Sequence, residues 1–481
     1  MKTTKTLHFN RFILMFGFLC TGLNLFAQSE KEKERPNVIL IVADDMNMWS
    51  VLKNYAPLQT PYLDKLKSES LYFLNASCAA PVCIPSRASF FSGRAPYVTG
   101  AYVNNRETWE NNSLSTTEVI PETFKKNGYT TWGGGKIFHA PINAGRQEKM
   151  FDNKVHEGGF GPFASKEYHY AQGQFFSIKP WTGPDTDFSD VRNANSAVSY
   201  LEDEHDKPFF MYYGLYRPHT PYTAPKRFFD LYDGVDITMP PGFRPDDLDD
   251  VPLQGRQLVD SLKRYHKKGM AKDEVLLTMM KAYCANYSFA DWNIGRLIEA
   301  LDKSKYADNT IVIFYSDNGF HNGTKNHWVK STLWEQADTV PFMIRLPNKK
   351  GEGREQTVNL LDVYPTLVDY CGLTPPAQEF SGKSMVPVFD DAAYSWDRPG
   401  FTCYGANYSS VRDERYRYIQ YPDGSEELYD HDQDPYEFDN LAGDPSYVQV
   451  KKRLATHIPE TFAESLGGKR EATASDGSNN D

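Results

Sequence analysis

The apolar positions of this chain fall into two patterns. Four uninterrupted runs, Asn37–Ala43 (NVILIVA), Tyr129–Gly133 (YTTWG), Pro208–Leu215 (PFFMYYGL) and Thr310–Tyr315 (TIVIFY), read as strands buried on both faces. Between them lie segments whose apolar residues recur at helical spacing. Pro61–Ser70, Glu118–Asn127, Glu274–Leu301 and Leu360–Tyr370 are predicted helices, the second and fourth stopped by Gly128 and Gly372. Strands alternating with helices predict an α/β fold, a large and mostly parallel sheet sandwiched by helices.

The pattern changes near residue 400. Phe401–Ala406 and Ser409–Tyr421 read as short antiparallel strands, and Pro422-Asp423-Gly424 is a turn before Glu427–Tyr429. One helix, Ser446–Ile458, follows. These residues predict a smaller C-terminal α+β subdomain at 396–465, after a main α/β domain at 28–395. The polar stretch from 466 to 481 reads as a disordered tail.

Composition narrows the possibilities. The 481 residues are 24% charged and 14% aromatic, which excludes a disordered chain or a coiled coil. The net charge of −11 and the lack of a basic tract argue against nucleic-acid binding. Residues 1–27 combine basic Lys2, Lys5 and Arg11, an apolar stretch and a small residue at Ala27, the three-part shape of an export signal. Leu19 before Cys20 argues against a lipoprotein site, so plain cleavage near Ala27 and a periplasmic or secreted product are expected. No later run reaches the roughly 18–20 apolar residues of a membrane span, so no transmembrane anchor is expected. Five cysteines follow the leader, and the odd number leaves at least one unpaired within the chain. Cys78, Cys284, Cys371 and Cys403 read as buried thiols.

Polar groups collect at the strand ends, where open α/β sheets bind ligands. Asp44-Asp45 follows the first strand and Asp317-Asn318 the last. Three carboxylates and an amide oxygen suit a hard divalent cation, calcium before magnesium, and zinc is disfavoured because no His or Cys ligand spacing surrounds them. Lys136 and His139 follow the glycine cluster, and Arg217-Pro218-His219 follows the third strand. The second strong element is Cys83-Ile84-Pro85-Ser86-Arg87, continuing to Ser92-Gly93-Arg94.

Cys83–Arg94 resembles the signature of the type I sulfatases of the alkaline phosphatase-like superfamily. The resemblance covers nearly the whole chain after the leader, through Asp44-Asp45, Gly135–His139, Arg217-Pro218-His219, Asp317-Asn318-Gly319, Lys330 and the C-terminal run 410–442. The order of motifs and the Lys136/His139 spacing are most similar to the iduronate-2-sulfatase branch. The resemblance implies that a maturation enzyme oxidises Cys83 to formylglycine (3-oxoalanine) before folding. The hydrate of that group would attack sulfur with one hydroxyl and expel the sulfate by collapse of the other. It further implies that Asp44, Asp45, Asp317, Asn318 and residue 83 hold calcium, and that Arg87 and Lys136 stabilise the hydrate. His139 would be the base, His219 and Lys330 would contact sulfate, and His219 would be the acid for the leaving oxygen. Ser86 would serve maturation and local hydrogen bonding.

One segment departs from the family. Where many members have Gly-Glu-His-Gly before Trp-x-Lys, this chain has Gly323-Thr324-Lys325-Asn326. Specificity is therefore not carried over from iduronate-2-sulfate. Arg106, Trp109, Arg217, His321, Lys325 and His327 are the expected contacts to an anionic sugar. The expected substrate is a sulfated polysaccharide or its oligosaccharides, algal (ulvan, carrageenan, fucoidan) before animal glycosaminoglycan. The alternatives are a formylglycine-dependent phosphonate or phosphate ester hydrolase, and a catalytically dead glycan-binding relative.

Overall fold

Eight strands build the main sheet of this computed structural model. In chain order they are β1 (Asn37–Asp44), β2 (Leu71–Ser77), β3 (Thr130–Gly135), β4 (Asn153–Lys154), β5 (Phe209–Pro218), β6 (Thr310–Ser316), β7 (Phe342–Arg345) and β8 (Glu352–Asn359). Their spatial order is β8-β2-β7-β6-β1-β5-β3-β4. Only β7 runs antiparallel to its neighbours; the other pairings are parallel. The structure describes Met1 and residues 35–467 apart from 111, 141, 143, 144, 155–157 and 348. All but Met1 of the expected leader at 1–27, and all but the first two residues of the expected tail, lie outside the described residues.

The all-apolar strands are explained by the two layers that cover them. Ile39, Ile41, Ala43, Met211, Tyr213, Val312 and Phe314 face one core, filled by the helices α1 (Pro61–Ser68), α3 (Ser189–Glu202) and α4 (Lys272–Lys303). Val38, Leu40, Val42, Phe210, Tyr212, Ile311 and Ile313 face the other, filled by α2 (Cys83–Ser92) and α5 (Val363–Tyr370). With no solvent face, a strand keeps no polar alternation. α4 also fixes α1: the buried Asp291 carboxylate accepts the N–H groups of Tyr62 and Leu63 at 3.3 and 2.6 Å. It thereby satisfies donors that a helix start leaves free.

Past residue 400, four antiparallel strands, β9 (Gly400–Cys403), β10 (Ser409–Arg412), β11 (Tyr416–Gln420) and β12 (Glu426–Asp430), lie in sequential order. The expected Ser409–Tyr421 segment splits into a hairpin because Asp413 Oδ1 accepts the N–H groups of Arg415 and Tyr416, at 2.8 and 2.6 Å, and turns the chain. Helix α6 (Val448–Ala455) packs its Leu454 into the same small core. The five cysteines of the described residues are buried free thiols, so no disulfide forms among those residues. No helix of these residues is long and apolar enough to cross a membrane.

Candidate active site

The C-terminal ends of four adjacent strands, β6, β1, β5 and β3, deliver the polar groups to one edge of the sheet. β1 ends in Asp44 and Asp45, β6 leads into Asp317 and Asn318, β5 into His219, and β3 into Lys136 and His139. Two glycines allow β3 and β5 to close over this edge. A Cβ on Gly135 (φ 77°) would stand 1.7 Å from the Gly214 carbonyl oxygen, and one on Gly214 would stand 1.9 Å from that of Lys136. Any side chain at either position would push Lys136 out of place.

Cys83 opens α2 beneath these groups and is fully buried. Its Sγ lies 3.4 Å from Asp44 Oδ1. Two buried cations and the half-buried Lys330 answer three buried carboxylates. Lys136 Nζ donates to Asp44 Oδ2 at 2.5 Å, Lys330 Nζ to Asp45 Oδ2 at 2.6 Å, and Arg87 Nε to Asp317 Oδ2 at 2.8 Å. Arg87 Nη1 is anchored by the carbonyls of Lys136 and Ile137 and by the Tyr212 hydroxyl, while its buried Nη2 has no partner. Ser86 Oγ donates to the Asp317 carbonyl. Left-handed backbone at Asp45, His139, Val329 and Ser331 (φ 63°, 60°, 126° and 73°) concentrates strain around the same groups, at a cost of about 1–3 kcal/mol each.

Burial and mutual charge set the protonation of the cluster. Burial, with Asp44 and Asp317 nearby, pushes the Asp45 carboxyl up to about 6 against the pull of Lys330. Burial and Asp44 raise Asp317 as well. Asp44 itself stays below the usual carboxylate range because Lys136, Arg87 and Lys330 together outweigh its burial. Burial, then the neighbouring carboxylate of Asp44, pushes the Cys83 thiol up, so it is a poor nucleophile as it stands.

Both histidines are neutral. Burial first, then Lys136 and Arg87, holds His139 well below 6.5, and its buried Nδ1 has no partner. Burial, Lys330 and Lys136 do the same to His219. His219 Nδ1 lies 2.6 Å from the Thr220 carbonyl oxygen, which accepts only a donor, so the single proton sits there. Its Nε2, 3.6 Å from Asp45 Oδ2, therefore presents a lone pair, and it can give a proton to a leaving oxygen only after gaining one.

The donor set fits a hard cation. Asp44, Asp45, Asp317 and Cys83 each bring one ligand atom within 4.8 Å of the others. Asn318 Nδ2 donates to Asp45 Oδ1 and to the Gly319 carbonyl, both at 2.8 Å, which leaves its buried Oδ1 without a partner. An unsatisfied amide oxygen beside three carboxylates is what an oxygen-seeking divalent ion uses.

The model of the family described as Sulfatase matches residues 36–373, and the one described as N-sulphoglucosamine sulphohydrolase, C-terminal, matches residues 323–464. The chain belongs to the sulfatase family. It is 35% identical to a sulfatase of Formosa agariphila, over 94% of this chain and 92% of that one. It is 28% identical to mouse iduronate 2-sulfatase, over 76% and 74%, and 26% identical to an ulvan-active sulfatase of Formosa agariphila, over 91% and 83%. A phosphonate monoester hydrolase from Silicibacter pomeroyi shares the fold, with TM-score 0.72, 21% identity and 88% and 94% of the two chains covered. The family sets the reaction class, and this sulfatase hydrolyses sulfate esters.

Five of the six expected sugar contacts are held elsewhere in this sulfatase. Trp109 is fully buried, with its ring packed edge-on against Phe138. Arg217 is buried and donates to the carbonyls of Thr223 and Phe160 at 3.0 and 2.8 Å. His321 is spent on Thr324 and Thr332, 2.8 Å from each hydroxyl. Lys325 pairs with Asp247 at 3.0 Å and donates to the Glu437 carbonyl, a fully buried arrangement that points away from solvent. His327 accepts the Asp260 N–H at 2.7 Å and donates from Nε2 to the Lys330 carbonyl, also at 2.7 Å. It thereby anchors the Lys330 backbone. Arg106 alone of the six is exposed.

Sequence reasoning missed Tyr212, whose hydroxyl bridges Arg87 and the Lys136 carbonyl at 2.9 and 3.1 Å. It missed Tyr283, which donates to the Asp45 carbonyl at 2.9 Å, and Asp190, which accepts the N–H groups of Tyr216 and Arg217. The only signal for Tyr212 was a tyrosine inside an otherwise apolar strand, and for Asp190 an acid on the buried face of a helix.

Proposed function

We propose that this protein is an exported, calcium-dependent sulfatase that removes sulfate from a sulfated polysaccharide or its oligosaccharides, using formylglycine made from Cys83. One observation carries the reading: the unreactive Cys83 thiol lies within reach of three carboxylates and of His219, with the cations Lys136, Lys330 and Arg87 paired to those same carboxylates. Such a surrounding suits an oxygen nucleophile better than a thiol. Formylglycine at position 83 would supply that oxygen as its hydrate, and calcium, which Asp44, Asp45, Asp317 and Asn318 would hold, would supply a positive field that favours loss of its proton.

The chain's own residues do the rest. Arg87, bound to Asp317 through Nε, keeps its Nη2 unpaired, and Lys136 and Lys330 hold Asp44 and Asp45 beside it. Together they hold the charge that grows on the sulfuryl oxygens, in a place where water does not screen it. His139, neutral and unpaired at Nδ1, accepts a proton from the group at position 83. His219 takes up a proton from solvent water at Nε2 as the anionic ester binds and offsets the field of Lys330 and Lys136, and passes that proton to the leaving oxygen. The basic, apolar and small-residue pattern of 1–27 supports export, and the family resemblance supports a maturation enzyme as partner. The ulvan-active relative supports an algal polymer before an animal one.

The test is sulfate release from a panel of ulvan, carrageenan, fucoidan and glycosaminoglycan oligosaccharides, by chain co-expressed with a maturation enzyme. Release from an algal member in the presence of calcium, and none from Cys83→Ala, is expected. Preferential hydrolysis of phenyl phosphonate esters over every sulfate would overturn the reading in favour of the phosphonate alternative.

A further inference from the structure

A chain of aromatic rings leads from the reacting groups to the surface. Phe160 packs against His219 and His139, with ring centroids at 4.5 and 5.6 Å, and Lys136 Nζ lies 5.0 Å from its centroid. Phe175 stands 5.5 Å from Phe160, and Phe163 stands 5.3 Å from Phe175. Phe160 and Phe175 are half-buried, and Phe163 is 36% exposed. A single exposed phenylalanine needs no explanation. This one is the outer end of a continuous wall whose inner end touches both catalytic histidines.

The wall is tethered as a built element. Arg217 Nη2 donates to the Phe160 carbonyl at 2.8 Å, and Thr223 Oγ1 to the Pro162 carbonyl at 2.8 Å. The Gly159 N–H donates to Ser189 Oγ at 2.9 Å. Arg217 lies on β5, two residues before His219, so the Phe160 segment and His219 are held as one piece. Arg217, expected to bind substrate, instead carries the wall that faces it.

We infer that Phe160, Phe175 and Phe163, packed edge to face at 79° and 87°, line one wall of the subsite for the sugar ring that bears the sulfate ester and offer it single phenyl faces in turn, an assignment that rests on the carbohydrate sulfatase reading above. A pyranose carries its sulfate at the ring edge and presents a face of C–H bonds. The phenyl faces, electron-rich at their centres, attract that C–H face, while the ester reaches past Phe160 to Lys136, Lys330 and position 83. Phenyl faces repel anions, so the wall selects sugars with one face free of sulfate and carboxylate groups. It favours such rings over acyclic sulfate esters, which have no face to offer.

The test compares Phe163→Ala and Phe175→Ala with the parent chain, using ulvan and carrageenan oligosaccharides as substrates and inorganic sulfate as inhibitor. A sugar-facing wall predicts that kcat/KM on the oligosaccharide falls about tenfold, equivalent to about 1.4 kcal/mol. The inhibition constant of inorganic sulfate, which touches only the charged groups, stays within about twofold, since it has no ring to bury. Phe163→Trp retains or improves the oligosaccharide rate. Equal losses for oligosaccharide and sulfate ion would mark a merely structural role and overturn the assignment, as would unchanged kcat/KM. Calorimetry with each substitution added to Cys83→Ala reads the same difference without turnover. Equal oligosaccharide affinity with and without Phe163 would overturn the assignment there. Absence of sulfate release by the parent chain would instead count against the sulfatase reading alone.

Discussion

Two buried charge clusters in this protein look alike as collections of residues and differ in how they are closed. At the sheet edge, Asp44, Asp45 and Asp317 face Lys136, Lys330 and Arg87. At the junction with the C-terminal sheet, Glu335, Asp338 and Glu437 face Arg417, Arg412 and His431. Both contain a group of side chains able to gather around a metal ion. In the second cluster, however, one guanidinium already fills the centre. Arg417 Nη1 donates to Asp338 Oδ2 at 2.7 Å and to Ser410 Oγ at 2.6 Å, Nη2 donates to Glu335, and Nε lies 2.7 Å from Glu437 Oε1. Burial pushes the Asp338 carboxyl up to about 8 against the pull of Arg417. The sheet-edge cluster has no such central group. Its cations come from three separate elements and leave Arg87 Nη2, Asn318 Oδ1 and His139 Nδ1 unpaired, whereas in the second cluster the unpaired atoms, Asp338 Oδ1 and Arg417 Nε, belong to the central guanidinium and the acid it binds. A closed cluster fastens two parts of the fold, whereas an open one keeps donors and acceptors ready for a ligand.

Substitution breaks the two clusters differently. Lys136→Met is expected to lower kcat by about 10²–10³-fold, the usual loss when one preorganised charge is removed from a developing anion. The folded state should survive, because Asp44 is relieved by protonation or by bound cation. Arg417→Met is expected to leave kcat of the folded protein nearly intact and to lower stability by about 3–5 kcal/mol, since it strands buried carboxylates. Steady-state kinetics and urea unfolding of both variants check the contrast, and it fails if Arg417→Met loses activity without losing stability.

The acid limb of the rate profile sharpens the same contrast. His139 must be neutral to accept a proton, and its ionisation is depressed well below 6.5, so kcat/KM should hold at pH 6.5 and fall only at more acid values. Phe160→Ala admits water beside His139 and lessens the desolvation that depresses it. The acid limb should then move upward, toward 6.5. A limb that stays in place would separate His139 from the base role. A smaller effect is expected at His327, where His327→Ala removes the anchor of the Lys330 carbonyl. A fall in kcat/KM of about three- to tenfold is expected, the scale of one lost positioning hydrogen bond.

Much of the fold was legible because strands buried on both faces cannot hide their composition. Asn37–Ala43 and Thr310–Tyr315 read as central strands and became β1 and β6. Strands with mixed faces were not legible. β2 and β8 carry polar residues such as Asn75 and Glu355, and β7 is only four residues long, too short for a period to emerge. The site residues Asp44, Asp317, Lys136 and His219 were legible as polar groups at strand ends. The packing of the residues expected to meet a sugar was not, because polarity alone does not reveal direction. Lys325 and His321 are as polar as Lys330, yet both turn inward to close packing against Asp247, Thr324 and Thr332. The aromatic wall was hidden for the opposite reason, since Phe160, Phe163 and Phe175 look like ordinary core residues until their exposure is known.

The most direct measurement follows the chemical state of position 83. Preparations with graded co-expression of a maturation enzyme are digested, and the fraction of the peptide spanning Cys83 that carries the aldehyde is read by mass spectrometry. The account predicts that sulfate release per mole of protein rises in proportion to that fraction and is lost, by about 10³-fold or more, in Cys83→Ala. Sulfate release that is independent of the aldehyde fraction, or that persists in Cys83→Ala, would contradict it.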